Sequence, residues 1–257
     1  MWYAFSVRMR NNSFFKRVIR KGRKLAGLKY DDADNAELVK RYAPGKSFAD
    51  IGCMWGVDGF FSFLAQDHGA VRVVAVDVYP ESTKFAEERA KRNSRIRFVR
   101  GDINLPEITD AIGVCDVVFC SGVLYHTPDP VHLLTRLRAI CSQTLILNTA
   151  SIPEMPGIRN GAVFYPFVDE RQRKMWNKGI GSQKAITGPY EPESGYGNWF
   201  WGMTPSAIES MLRCAGFEAV ERYVSPFHCV LVCRTTPIKF VAASGEWTTP
   251  KSGNSLR

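Results

Sequence analysis

The chain has 257 residues, 45% apolar and 23% charged, which suits one α/β domain with some residues left over for an insertion or tail. No apolar run approaches the roughly 20 residues that span a bilayer, and residues 1–30 lack the apolar core and cleavage site of a secretory signal. The net charge of +9 lies wholly in residues 1–30, which hold nine cations from Arg8 to Lys29 and no acid; the other 25 cations match the 25 acids. The seven cysteines form no CxxC pair and read as small buried hydrophobes of a reducing compartment, so no structural metal is expected. The expected location is the cytoplasm, with peripheral attachment to a membrane left open.

In chain order, Phe14, Phe15, Val18, Ile19, Leu25 and Ala26 recur at helical spacing between cations. This basic amphipathic helix either packs on the domain or meets a membrane surface or polyanion through residues 8–29. A second short helix is expected over 34–42, stopped by Pro44-Gly45. Strict alternation follows. Strand 47–51 precedes helix 58–68, strand 71–76 precedes helix 81–92, and strand 95–99 precedes a helical stretch near 104–112. Strand 115–121 then leads to helix 129–141 and strand 143–149. Apolar strands with helical crossovers predict a doubly wound, mostly parallel sheet, seven-stranded once its final pair is added.

Residues 150–203 break the rhythm with Pro, Gly and aromatic residues, too apolar for a linker, and read as a lid insertion. Thr204-Pro205 opens a helix closed by Gly216, and strands 217–224 and 227–234 form an antiparallel edge. The expected organisation is therefore basic helices over 1–45, a catalytic domain over 46–235 and a tail over 236–257.

The chemistry-bearing residues fall at strand ends. Asp50 leads into Gly52, Cys53, Gly56 and Gly59, and Asp77 ends the next strand 27 residues later. The glycines are spaced G-x-x-x-G-x-x-G, which departs from the G-x-G-x-x-G that seats a pyrophosphate. A carboxylate beside that turn would repel a pyrophosphate and suit a ligand bearing an ammonium and a sulfonium. Asp102 follows the third strand, and Ser121-Gly122 close the fourth ahead of Tyr125-His126. All would lie along one carboxyl edge, the usual ligand crevice of an open α/β sheet.

These blocks resemble the class I S-adenosylmethionine-dependent methyltransferases over roughly residues 40–235. The resemblance rests on Phe48–Cys53, Val74–Asp77, Arg100–Asp102, Cys115–His126 and the Thr204–Phe217 stretch. It implies S-adenosylmethionine as cofactor, with Asp50, Gly52 and Cys53 at its methionine half, Gly56 also among the cofactor-binding residues, Asp77 at the ribose, Asp102 at the adenine, and Ser121 and Gly122 beside the methyl. Met54-Trp55 stands where the family commonly has another glycine. Asp58–Phe63 and Gly122–Pro130 are similar to the branch containing the tRNA wobble-uridine carboxymethyltransferases, although the stretch at Pro226-Phe227-His228 lacks their basic residues, which favours ordinary methyl transfer.

Methyl transfer to a hydroxyl needs a base, and of the four histidines only His126 falls at the end of a core strand. His228 reads as structural. Tyr125 borders the methyl or simply packs; Tyr165, Tyr190, Tyr196, Trp199 and Trp201 are candidate substrate walls, half or more of them forming the insertion's own core. The favoured expectation is a metal-independent O-methyltransferase for a small molecule such as a sugar, glycolipid or specialised metabolite. A tRNA-modifying enzyme acting on a wobble uridine, and a non-catalytic S-adenosylmethionine-binding module, are the alternatives.

Overall fold

The computed structural model describes residues 34–171, 189–225 and 227–237. The expected amphipathic helix of the basic leader and most of the tail lie outside these residues. Seven strands form one sheet: β1 (Ser47–Ile51), β2 (Arg72–Asp77), β3 (Arg97–Arg100), β4 (Cys115–Ser121), β5 (Cys141–Ala150), β8 (Phe217–Ser225) and β9 (His228–Thr235). Their spatial order is β3-β2-β1-β4-β5-β9-β8. The first five run parallel, while β9 is antiparallel to both β5 and β8. The closing hairpin therefore tucks the last strand inside and leaves β8 at the edge.

Helices α1 (Asn35–Tyr42), α2 (Phe60–Asp67) and α3 (Thr83–Lys91) cover one face. They bury Leu38, Val39, Phe63 and Phe85 against Phe48, Ala75, Phe119 and Ile146. Helices α4 (Pro106–Ile112), α5 (Pro130–Ile140) and α6 (Pro205–Cys214) cover the other, placing Ile112, Leu133, Leu137 and Leu212 on Ala49, Val74, Val118 and Leu145. Strand residues alternate between these two cores, as the period of two requires. Each such side chain contributes about 1.5–3 kcal/mol when fully buried.

The helix starts follow from local chemistry. Asp34, Ser82, Asp129 and Thr204 each accept a backbone N–H of the first turn, and Pro130 and Pro205 occupy first-turn positions where no N–H is needed. The third crossover helix begins only at Pro106, two residues later than its pattern suggests.

Between β5 and α6 the insertion forms its own small unit. Strands β6 (Ala162–Phe164) and β7 (Trp201–Met203) pair antiparallel, and Ile152, Tyr165 and Trp199 make a separate buried cluster. A 3-10 segment, Pro192–Gly197, precedes β7. The insertion leans on the end of β4: Phe200 N–H donates to the Tyr125 carbonyl at 2.9 Å, and the Trp201 indole N–H donates to the Pro128 carbonyl at 2.9 Å.

Candidate active site at the carboxyl edge

The strand order reverses between β1 and β4, which opens a crevice at their carboxyl ends. Gly52 sits in that gap at φ +84°, and a Cβ there would lie 2.6 Å from the Ser121 carbonyl oxygen and from a Val123 methyl. Both the left-handed backbone and the close approach require glycine. Gly56, at φ +72°, has open space around it.

The acids surround this turn. Asp77 accepts the Met54 N–H at 2.8 Å and the Tyr79 N–H at 2.9 Å, tying the loop after β1 to the loop after β2. Burial raises its pKa, and those two N–H groups oppose the rise. Asp50 lies beneath the loop, where one oxygen accepts the Ser62 hydroxyl at 2.6 Å and the other, fully buried, has no partner. Burial pushes its carboxyl up to about 7, against the Ser62 bond, with the Asp77 charge adding to the rise. An orphaned buried carboxylate beside an uncovered glycine turn fits a ligand that brings positive charge. Asp102 holds the Asn104 N–H at 2.8 Å and the Tyr196 hydroxyl with one and the same oxygen. Trp55, 79% exposed at the outer rim, leans on Tyr79 with 5.6 Å between rings.

His126 stands on the 3-10 turn after β4, with Nδ1 2.8 Å from the Asn198 carbonyl. A carbonyl only accepts, so Nδ1 carries the proton and Nε2 keeps its lone pair. Burial lowers the pKa of this imidazole below its usual 6.5, and the Asn198 bond only partly offsets that. Asn198 is itself clamped, accepting the Glu191 N–H and donating to the Glu191 and Gly195 carbonyls. His126 lines a cavity of about 370 Å³ together with Asp102, Asn104, His132, Tyr196 and Phe200. His132 thus adds a second imidazole from the first turn of α5.

Three expectations need correction. Trp199 is no substrate wall: it is buried, 4.2 Å from the Tyr125 ring and 6.1 Å from Tyr165, because the insertion needs a core of its own. Trp201 also stays out of the cavity lining, its N–H committed to Pro128; Tyr196 and Phe200 take that place. The Cys53 thiol turns into the core under α1–α3, where burial raises its pKa, so only its backbone borders the turn. Tyr125 is wedged between Trp199 and His126, and its hydroxyl reaches over Gly122; burial raises its pKa to about 12. Sequence reasoning missed Asn198, which carries no pattern, and Asn148, whose signal was one amide directly after the apolar run Leu145–Leu147.

Among the described residues no three His, Cys, Asp or Glu side chains converge as a metal site would need, and no helix is long and apolar enough to cross a membrane.

The strand order, the single reversed strand and three helices on each face are those of the class I, Rossmann-like methyltransferase fold. Residues 49–144 match the family model described as a methyltransferase domain. The chain is 33% identical over 99 residues to a tRNA U34 carboxymethyltransferase of Campylobacter hominis, covering 37% of this chain and 32% of that protein. A second such enzyme, of Campylobacter curvus, is 30% identical over 98 residues, covering 37% and 30%. The chain thus spans about a third of the curated relatives it matches. The N-terminal domain of EvdMO1, solved with SAH bound, superposes with a TM-score of 0.52 at 18% identity, over 81% of this chain and 82% of that one. The trans-methyltransferase CalH in complex with SAH gives 0.51 at 19% identity, over 78% and 54%. At these identities the structures speak to the fold.

Proposed function

We propose that the protein transfers a methyl group from S-adenosylmethionine to a hydroxyl of a small molecule, such as a sugar, a glycolipid or a specialised metabolite, without a metal, with His126 as the base. The observation that carries this reading is the state of His126: neutral, held by Asn198 with Nδ1 protonated, and lining a cavity beside the cofactor edge. In this arrangement the backbone of Gly52, Cys53 and Gly56 borders the methionine half, with the charge of Asp50 beneath it. Asp77 takes the ribose hydroxyls, and the second oxygen of Asp102 takes the adenine amino group. Ser121 and Gly122 flank the reacting centre.

Bound there, S-adenosylmethionine supplies an electrophilic methyl on a sulfonium, open to in-line displacement. The protein's task is then position first and proton removal second. His126 Nε2 accepts the hydroxyl proton, and the insertion, through Tyr196 and Phe200, keeps water from the cavity. The aromatic insertion and the charge balance of residues 31–257 favour a small acceptor over a polyanion.

The test is a methyl-labelled cofactor incubated with a cell extract, followed by identification of the labelled product. With that product in hand, His126→Ala should lower turnover by about 10²–10⁴-fold, while calorimetric binding of S-adenosylhomocysteine stays within about twofold. Unchanged turnover would remove His126 from the role.

A second reading, modification of a tRNA wobble uridine, is favoured by the names of the two curated relatives. It assigns phosphate contacts to the cations of residues 8–29, the same segment that would meet a membrane surface. Label entering tRNA, with affinity falling steeply as salt rises, would favour it.

A further inference from the structure

A row of aromatic rings runs outward from the cavity that holds His126. Phe200 lines that cavity. Its ring meets the Tyr190 ring edge-on, with 5.8 Å between centres, and Tyr190 meets Phe167 at 5.0 Å. Exposure rises along the row. Phe200 and Tyr190 are partly buried, and Phe167 is 83% exposed.

Phe167 stands where its own backbone argues against it. Pro166 and Phe167 are the central residues of a turn closed by the Val168 N–H, which donates to the Tyr165 carbonyl at 3.0 Å. The turn holds Phe167 at φ +65°. Glycine or asparagine ordinarily fills that place, because a bulky side chain there is strained. Burial of the ring would offset the strain, yet most of this ring faces water. Strain kept without a packing return points to a contact made outside the chain.

The body of the acceptor lies along this row if its hydroxyl is to reach His126. A sugar brings several hydroxyls, each needing a partner once it leaves water. The polar groups of the cavity wall are largely spent on one another. Asp102 holds the Asn104 N–H and the Tyr196 hydroxyl, the Asn104 amide donates to Tyr196, and Asp129 holds the His132 N–H. Edge-on and tilted rings suit a further flat ring better than an aliphatic chain. His126 is also a weak base, since burial lowers its pKa below 6.5. A phenol ionises near about 10, as tyrosine does, whereas a hydroxyl on saturated carbon holds its proton about as tightly as water, at roughly 16. The phenol is the better match to such a base.

We propose that the acceptor is an extended phenol, with its hydroxyl at His126 Nε2 and its flat body along Phe200, Tyr190 and Phe167. The inference rests on the reading of His126 as the base and narrows the acceptor named there. His126 Nε2 takes the phenolic proton as the oxygen bonds to the methyl carbon. The carbon–sulfur bond breaks with its electron pair left on sulfur, so the sulfonium becomes a neutral thioether.

The probes are phenol, 4-hydroxybiphenyl and 7-hydroxyflavone, which carry the same hydroxyl on bodies of increasing length, with methyl glucoside and 1-octanol beside them. Each is titrated calorimetrically into protein saturated with S-adenosylhomocysteine. Affinity should climb from phenol to 7-hydroxyflavone, roughly three- to tenfold for each added ring contact, and stay weakest for methyl glucoside and 1-octanol. Tyr190→Ala should flatten the climb and leave phenol unchanged. Phe167→Gly should remove only the gain of 7-hydroxyflavone, while its melting temperature holds or rises because glycine suits the turn. With methyl-labelled S-adenosylmethionine, the label should enter 7-hydroxyflavone as an aryl methyl ether. Equal affinity along the series, a glucoside or octanol bound as tightly as 7-hydroxyflavone, or a climb that survives Tyr190→Ala would overturn the proposal. A lower melting temperature in Phe167→Gly would make that ring structural and remove it from the row. Wild-type protein that fails to bind S-adenosylhomocysteine would instead strike down the reading beneath it.

Discussion

Along the sheet's carboxyl edge, Asp77, Gly52, Ser121 and Asn148 reach one level because parallel strands hold them in register. The insertion reaches the same groove differently: Tyr196 and Asn198 come from an irregular 3-10 segment and its end, and Phe200 from the residue before a three-residue strand. The two regions also differ in what holds them. The sheet rests on two large cores, one on each face, whereas among the described residues the insertion's cluster is Ile152, Tyr165 and Trp199, with Met155, Val163 and Val168 partly buried around it. On the described residues, the smaller cluster is expected to open at lower free energy than the body it leans on. In the proposed reaction the two regions divide the labour: the edge would seat the cofactor, and the cover would orient the base.

The change expected to damage the edge most is Gly52→Ala. It adds a Cβ at 2.6 Å from a backbone oxygen that cannot move without shifting β4, at a φ of +84° that alanine adopts only under strain. The strain alone costs about 1–3 kcal/mol. Binding of S-adenosylhomocysteine should vanish from calorimetry, because the turn cannot keep both its path and its contact with Ser121. Binding at wild-type strength would mean the groove does not run over Gly52.

The legibility of the two regions follows the same split. The carboxylates at 50, 77 and 102 could be read because each closes or follows an apolar run whose period is fixed at two, so its place in the sheet was determined with it. His126 could be read for the same reason, five residues past the end of β4. What could not be read was the side to which a residue turns. Cys53 looks like a loop residue, yet it is buried in the core under α1–α3, and Asp50 lies beneath the turn rather than on it. Trp199 and Trp201 were equally opaque. In an aromatic-rich segment without periodicity, nothing in the order of residues says which rings fill the segment's core and which line the cavity.

Trp199→Ala tests whether the cover is separable. Removing a buried tryptophan typically costs about 3–5 kcal/mol, and here the loss falls on a cluster that has little else. Limited proteolysis should find new cleavage within 150–203, and turnover should collapse because Asn198 no longer holds His126. Affinity for S-adenosylhomocysteine should change by no more than about threefold. Loss of cofactor binding in parallel would show that edge and cover fold as one unit.

Asp50 sharpens the contrast from the other side, since the edge carries a cost that the cover does not. Its folded pKa of about 7 lies above the unfolded value, so the native state holds a proton that the unfolded chain has released. Stability from this group is therefore full below about pH 4 and declines as pH rises to 7, by about 1.4 kcal/mol for each tenfold fall in proton concentration. Asp50→Asn should leave the ligand-free melting temperature unchanged near pH 4 and raise it near pH 8. The same variant should bind S-adenosylhomocysteine more weakly, because the buried negative charge is gone. A melting temperature that falls at pH 8 would show that the carboxylate has a partner in solution.

The smallest effect is expected where the two regions are pinned together. The Trp201 indole donates to the Pro128 carbonyl, and Pro128 lines the cavity next to His126. Trp201→Phe keeps most of the ring, which packs 4.9 Å from Phe164, and deletes only that one donor. A single neutral hydrogen bond contributes about 0.5–1.5 kcal/mol net, so the melting temperature should drop by a few degrees at most. Asp102 lines the same cavity but keeps its own bonds to Asn104 and Tyr196, so affinity for the cofactor should change little. The Michaelis constant for the acceptor, once the labelled product names it, should rise a few-fold, because the Pro128 wall is free to shift. A fall in cofactor affinity instead would place this bond within the stiff edge and redraw the boundary between the two regions.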